Sequence, residues 1–151
     1  MIYKTQYFGE IECDESELFT FPAGLPGFEE EHAFLLIPFA ESSGNMFSLQ
    51  SATSPALSFI VMDPFTLDAD YAPELTATEL RQLNVEKWQD LSYCVLCAPR
   101  SPVGESTVNL RCPIAVNLNT RQGKQIVMDS PRYGMRHPLA QFSHREESSS
   151  C

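Results

Sequence analysis

The sequence is short of positive charge, of histidine and of long apolar runs. No segment approaches the roughly 18 uninterrupted apolar residues that a membrane-spanning helix requires. The opening stretch Met1 to Phe8 carries Lys4, Gln6 and two tyrosines, without the apolar run or basic flank of a signal or transit peptide. The expectation is a cytosolic protein without membrane contact. Lys and Arg number 10 against 20 Asp and Glu, a net charge of -10. That balance opposes binding to phosphate backbones and argues against direct nucleic-acid recognition, while it favours long-range attraction of basic proteins.

Catalytic and cofactor motifs are equally scarce. His32, His137 and His144 have no acid or cysteine at motif spacing around them. Gly104 is isolated, and Gly24-Leu-Pro-Gly27 is followed by neither Lys-Ser/Thr nor a helix, so no loop is built to cradle phosphate. Cys94-Val-Leu-Cys97 has the spacing of a zinc half-site that Cys13 and Cys112 would complete. Its context is an extended apolar run, however, in which residues i and i+3 point to opposite faces. The five cysteines, with Cys151 the last, are an odd number in a reducing compartment, and all but Cys151 read as small buried hydrophobes. The expectation is a protein with no cofactor, no metal and no enzymatic activity.

What the sequence does have is short β-like runs divided by turn residues. Candidate strands are Tyr3 to Phe8, Glu10 to Cys13, Leu18 to Phe21, Phe34 to Phe39, Met46 to Ser51, Ser58 to Met62, Leu91 to Ala98, Thr107 to Cys112, Ile114 to Asn119 and Lys124 to Asp129. They predict an all-β, compact antiparallel barrel-like domain over residues 1–142, with one or two short helices. The Ser-rich stretch 143–151 has no apolar periodicity and is expected to be disordered.

Three of the runs, around Phe34, Phe59 and Tyr93, are apolar on both parities and predict strands covered on both faces. Ile114 to Asn119 and Lys124 to Asp129 predict a hairpin, with Gly123 available for a left-handed turn position. In its first strand Ile114, Val116 and Leu118 share one face, and Asn117 falls on the outer or cavity side. Thr76-Ala-Thr-Glu79 is a capping box opening a helix from Thr76 to Leu83, and a second turn is possible from Glu86 to Asp90, around Trp88.

Phe21-Pro-Ala-Gly-Leu-Pro-Gly-Phe28 stands out, because two prolines and two glycines fix a loop between aromatic anchors. Glu29-Glu30-Glu31 follows directly, so a rigid loop and a negative patch are neighbours. These residues carry a resemblance. Phe8-Gly-Glu-Ile, the Phe21 to Phe28 loop with Glu29, Leu49-Gln-Ser51, Phe59-Ile-Val-Met-Asp63-Pro64, Pro113-Ile-Ala-Val-Asn117-Leu, Arg121-Gln-Gly-Lys-Gln125-Ile-Val and Tyr133-Gly-Met-Arg-His-Pro-Leu139 together resemble, in the same order, the FliW family of flagellar assembly factors. The resemblance spans roughly residues 5 to 139; Ala23 stands where many relatives carry an acidic residue, and the tail is outside the pattern.

The resemblance implies a barrel-like protein with two competing partners. One is newly made flagellin. The other is the carbon storage regulator CsrA, a small RNA-binding repressor of flagellin translation that would be released from its messenger when bound. The residues assigned to partner contact are Phe28, Glu29, Glu30 and Glu31, with Asp63, Asn117, Asn119 and Gln125 as exposed polar groups. Two rival readings carry different signatures. A ligand-binding barrel or enzyme with an aromatic-lined cavity requires a closed pocket with convergent polar groups. A structural adaptor in a larger basal-body assembly requires large permanent apolar interfaces.

Overall fold

The computed structural model describes residues 1–39, 45–129 and 131–142. The strands are β1 (Ile2–Lys4), β2 (Glu10–Glu12), β3 (Phe19–Thr20), β4 (Ala33–Pro38), β5 (Met46–Ser51), β6 (Ser58–Met62), β7 (Ser92–Ala98), β8 (Thr107–Val108), β9 (Ile114–Asn117), β10 (Gln122–Gln125) and β11 (His137–Pro138). Among the described residues two short helices lie between strands, α1 (Pro64–Leu67) and α2 (Ala77–Gln82). The stretch 143–151, with His144 and Cys151, lies outside the described residues.

Strands β3, β4, β5, β6, β7, β9 and β10 form a closed seven-stranded barrel. Every pairing in it is antiparallel except β3 with β10, which run parallel and meet at one pair, Thr20 with Gln122. β7 also extends past the barrel to pair with β8, which in turn pairs with β11. β1 and β2 form a separate hairpin. The segment after β1 lies against the barrel: the Gln6 N–H donates to Gln50 Oε1 at 2.9 Å, and Tyr7 and Phe8 pack on Phe39.

Side-chain alternation divides the core in two. Phe19, Phe21, Phe34, Leu49, Val61, Cys94, Ile114 and Val116 fill the barrel. A second cluster, including Tyr71, Leu83, Tyr93, Val95, Cys97, Leu110, Ala115, Ile126 and Tyr133, packs outside it beneath the helices and connecting loops. β7 therefore buries both parities, Cys94 and Leu96 inward and Tyr93, Val95 and Cys97 outward, as its continuous apolar run predicts. The Tyr71 hydroxyl donates to the Leu110 carbonyl at 2.6 Å, which satisfies a polar tip that burial would otherwise leave unpaired.

The helix predicted from Thr76 forms: Thr76 Oγ1 accepts from the Glu79 N–H, and Glu79 Oε1 accepts from the Thr76 N–H. Asn84, at φ +59°, ends it. The turn around Trp88 is a short 3₁₀ segment, Trp88–Asp90, whose first carbonyl accepts from the Tyr93 hydroxyl. Three expectations are corrected. The first strand stops at Lys4, because Thr5 to Gly9 close a turn in which the Thr5 N–H and hydroxyl both donate to the Gly9 carbonyl. The eighth stops at Val108, because Asn109 Oδ1 accepts from the Cys112 N–H and bends the chain. In the β9–β10 hairpin Arg121, not Gly123, takes the left-handed position, at φ +62°.

Candidate functional site

The loop Phe21 to Phe28 is a stopper for one end of the barrel. Phe21 is fully buried and Leu25 nearly so; both belong to the barrel's apolar cluster, where Phe21 meets Phe34 edge-on. The chain reverses between Leu25 and Phe28, whose N–H donates to the Leu25 carbonyl at 2.7 Å. Phe28 stays 40% exposed while its ring meets Phe59 edge-on at 5.2 Å. Gly24 is required twice over. It sits at φ +66°, and a Cβ there would lie 2.7 Å from Glu29 Cα and from the carbonyl oxygens of Phe28 and Glu29.

The three glutamates that follow are not equivalent. Glu29 and Glu30 are exposed, and Glu29 Oε2 accepts from the Gly27 N–H at 2.9 Å, which steadies the loop. Glu31 is half-buried and its carboxylate accepts from three hydroxyls: Ser51, Ser54 at 3.0 Å and Thr53 at 3.2 Å. The bond from Ser51, then those from Ser54 and Thr53, outweigh desolvation and hold the Glu31 carboxyl below its ordinary 4.5. Its two neighbours stay exposed; Glu31 is an anchor.

A carboxylate held below its ordinary value adds stability that is present above pH 4.5 and is lost as pH falls through the lower folded value. Glu31→Gln is therefore expected to lower stability at neutral pH and to flatten the acid limb of stability against pH. Urea midpoints across the acid range measure this. An unchanged slope would remove Glu31 from the acid response.

The other predicted contact residues fall elsewhere. Asp63 is half-buried and caps α1, with Oδ1 accepting from the Phe65 N–H at 2.9 Å. Asn119 is exposed, in the β9–β10 turn. The half-buried Gln125 donates its side-chain amide to the Cys112 carbonyl at 3.0 Å. Asn117, expected to be exposed, is 4% exposed. Its Nδ2 donates to the Leu83 carbonyl at 2.8 Å, and its Oδ1 accepts from the N–H groups of Asn119 and Thr120. It is buried because α2 ends on the outer face of β9, where the sequence pattern suggested solvent. Strand polarity puts Phe28, Glu29, Glu30, Glu31 and Gln125 toward one end of the barrel and Asp63, Asn117 and Asn119 toward the other. The predicted set is two patches.

The cysteines lie where strand alternation places them. Cys94 is inside the barrel and Cys97 on the opposite face of β7, and burial pushes the Cys94 thiol up to about 12. Such a thiol is unreactive at neutral pH. The barrel holds a cavity of about 190 Å³ beside Cys94, with Asp63 and Ser92 as polar groups on otherwise apolar walls. That is smaller than the roughly 300–1,000 Å³ of small-molecule sites. Two exposed side chains were not among the predicted contact residues. Leu118 continues the inward face of β9 but lies past the strand's end and is 55% exposed, and Val127, just beyond β10, is 65% exposed.

Comparison with known proteins points one way. The sequence profile of the family described as "FliW protein" matches residues 2–139. The flagellar assembly factor FliW of Shouchella clausii is 37% identical over 139 residues, covering 92% of this chain and 94% of that one. The proteins of the same description from Exiguobacterium sp. and Bacillus subtilis are 39% and 34% identical, again over 139 residues and 92% of this chain. A solved structure titled "Crystal structure of the flagellar assembly factor FliW" superposes with a TM-score of 0.85 at 33% identity, covering 92% of this chain and 96% of that one.

Proposed function

The chain belongs to the FliW family of flagellar assembly factors, and on that premise we propose that it acts in the cytosol by exchanging two protein partners, without catalysing a reaction. Flagellin is the first partner. The second is the translational repressor CsrA, which the chain binds when flagellin is scarce, so that flagellin synthesis resumes. The observation that carries the reading is the match of family, fold and motif order over 92% of the chain.

Physical chemistry supports each half. An RNA-binding repressor is basic, and a protein of net charge -10 attracts it from a distance. The exposed Glu29 and Glu30, carried by a loop fixed on the barrel, need little ordering on binding. The unassembled terminal segments of flagellin are disordered and amphipathic, and such segments bind to apolar grooves or strand edges.

Stopped-flow association with CsrA tests this reading. The double variant Glu29→Lys, Glu30→Lys is expected to associate about tenfold more slowly at low salt, with a shallower salt dependence and a similar dissociation rate. An unchanged rate at low salt would remove the patch from the interface. No association of the unmodified protein would remove CsrA as a partner.

A further inference from the structure

The barrel closes incompletely at one seam. β10 meets β3 through the single pair Gln122 with Thr20, where the Thr20 N–H donates to the Arg121 carbonyl at 2.7 Å. Beyond that pair the strands part. Phe21 gives its N–H to the His32 carbonyl, and Pro22 has none to give. On its other side β10 is fully used: it pairs with β9 from Gln122 to Gln125, and the Ile126 N–H donates to the Pro113 carbonyl at 2.8 Å. In that register Gly123, Gln125 and Val127 direct their backbone groups to the β3 side. The Gly123 carbonyl and both backbone groups of Gln125 and Val127 have no backbone partner among the described residues.

The open edge borders a hollow of about 250 Å³ walled by Pro22, Ala23, Gln82, Leu83, Gly123 and Lys124. Lys124, one of only 10 Lys and Arg in a chain of net charge -10, lines it and gives it a positive group. A helical ligand spends its own N–H and C=O groups internally; an extended one presents them at the spacing of a strand.

We infer that the edge Gly123 to Val127 docks an extended, acidic segment of another protein, which adds as a further strand, seats a small apolar side chain in the hollow and lays carboxylates beside Lys124. The inference stands apart from the identity of the two partners named above.

Nuclear magnetic resonance of the ¹⁵N-labelled full chain tests it. The probes are the peptide acetyl-Glu-Val-Glu-Val-Glu-Val-Glu-amide and its counterpart with Lys for every Glu. The acidic peptide is expected to shift the amides of Gly123, Gln125 and Val127, to slow hydrogen exchange at Gln125 and Val127, and to bind at least about tenfold more tightly than the basic one. Val127→Pro removes an edge donor at an exposed position, and should weaken binding about tenfold with the unfolding midpoint unchanged. Lys124→Glu should reverse the preference between the two peptides, a readout that loss of fold would not produce. Absence of shifts at Gly123 to Val127 at millimolar peptide, or equal affinity for both peptides, would overturn the inference. So would a dimer in sedimentation that protects the same amides without peptide, since the occupant would then be a second copy.

Discussion

Phe21→Ala is expected to cost about 3–5 kcal/mol of stability, the range for emptying a buried aromatic site. The side chain is fully buried, meets Phe34 edge-on at 5.3 Å and lies against Gly123, where an added Cβ would come within 2.7 Å of its ring. It joins the stopper loop to the barrel and to the β10 seam, so the space it leaves has walls on three sides that cannot close in together. Urea unfolding measures the loss through the midpoint at constant slope. A cost below about 1 kcal/mol would mean that the barrel end is not packed around this ring.

Gly24→Ala is expected to cost about 3 kcal/mol, by summing a left-handed backbone penalty and the displacement of neighbouring backbone. Gly27→Ala provides the internal comparison. Gly27 also has positive φ, +86°, but a Cβ there meets nothing within 4 Å, so only the backbone term applies, about 1–2 kcal/mol. The two variants separate strain from collision. The Gly24 variant should also slow CsrA association, because its Cβ would push against Glu29, whereas the Gly27 variant should leave that rate nearly unchanged. Equal stabilities for the two would show that the loop shifts freely and does not hold the glutamates in place.

Much of this fold is legible in local pattern. β5 and β6 coincide with the predicted Met46 to Ser51 and Ser58 to Met62, because apolar runs bounded by turn residues leave little choice of ends. Thr76 and Glu79 form their reciprocal cap as the sequence implies, since that motif is satisfied within four residues. The start of α1 was not read: Asp63, expected to be an exposed contact, is a capping carboxylate before a proline at the first helical position.

Features that depend on distant chain were harder to read. Gly123 looked like a turn glycine, yet the structure requires it for the closeness of Phe21, which is far away in sequence. Asn117 looked exposed, because nothing near it in sequence announces that α2 will end above it. Glu31 looked like one member of a solvated run until β5 and the turn after it brought three hydroxyls to it. The open β10 edge is the same kind of case, since it results from where β3 stops pairing. The predicted contact residues accordingly divide into three exposed at the stopper, Phe28, Glu29 and Glu30, the anchors Glu31 and Gln125, and a separate group at the far end of the barrel.

Partner exchange is tested most directly by calorimetric titration of the protein with CsrA, alone and after saturation with flagellin from the same organism. Exchange predicts binding to CsrA that flagellin abolishes. Binding to CsrA with undiminished affinity in the presence of saturating flagellin, or binding to neither protein, would contradict it.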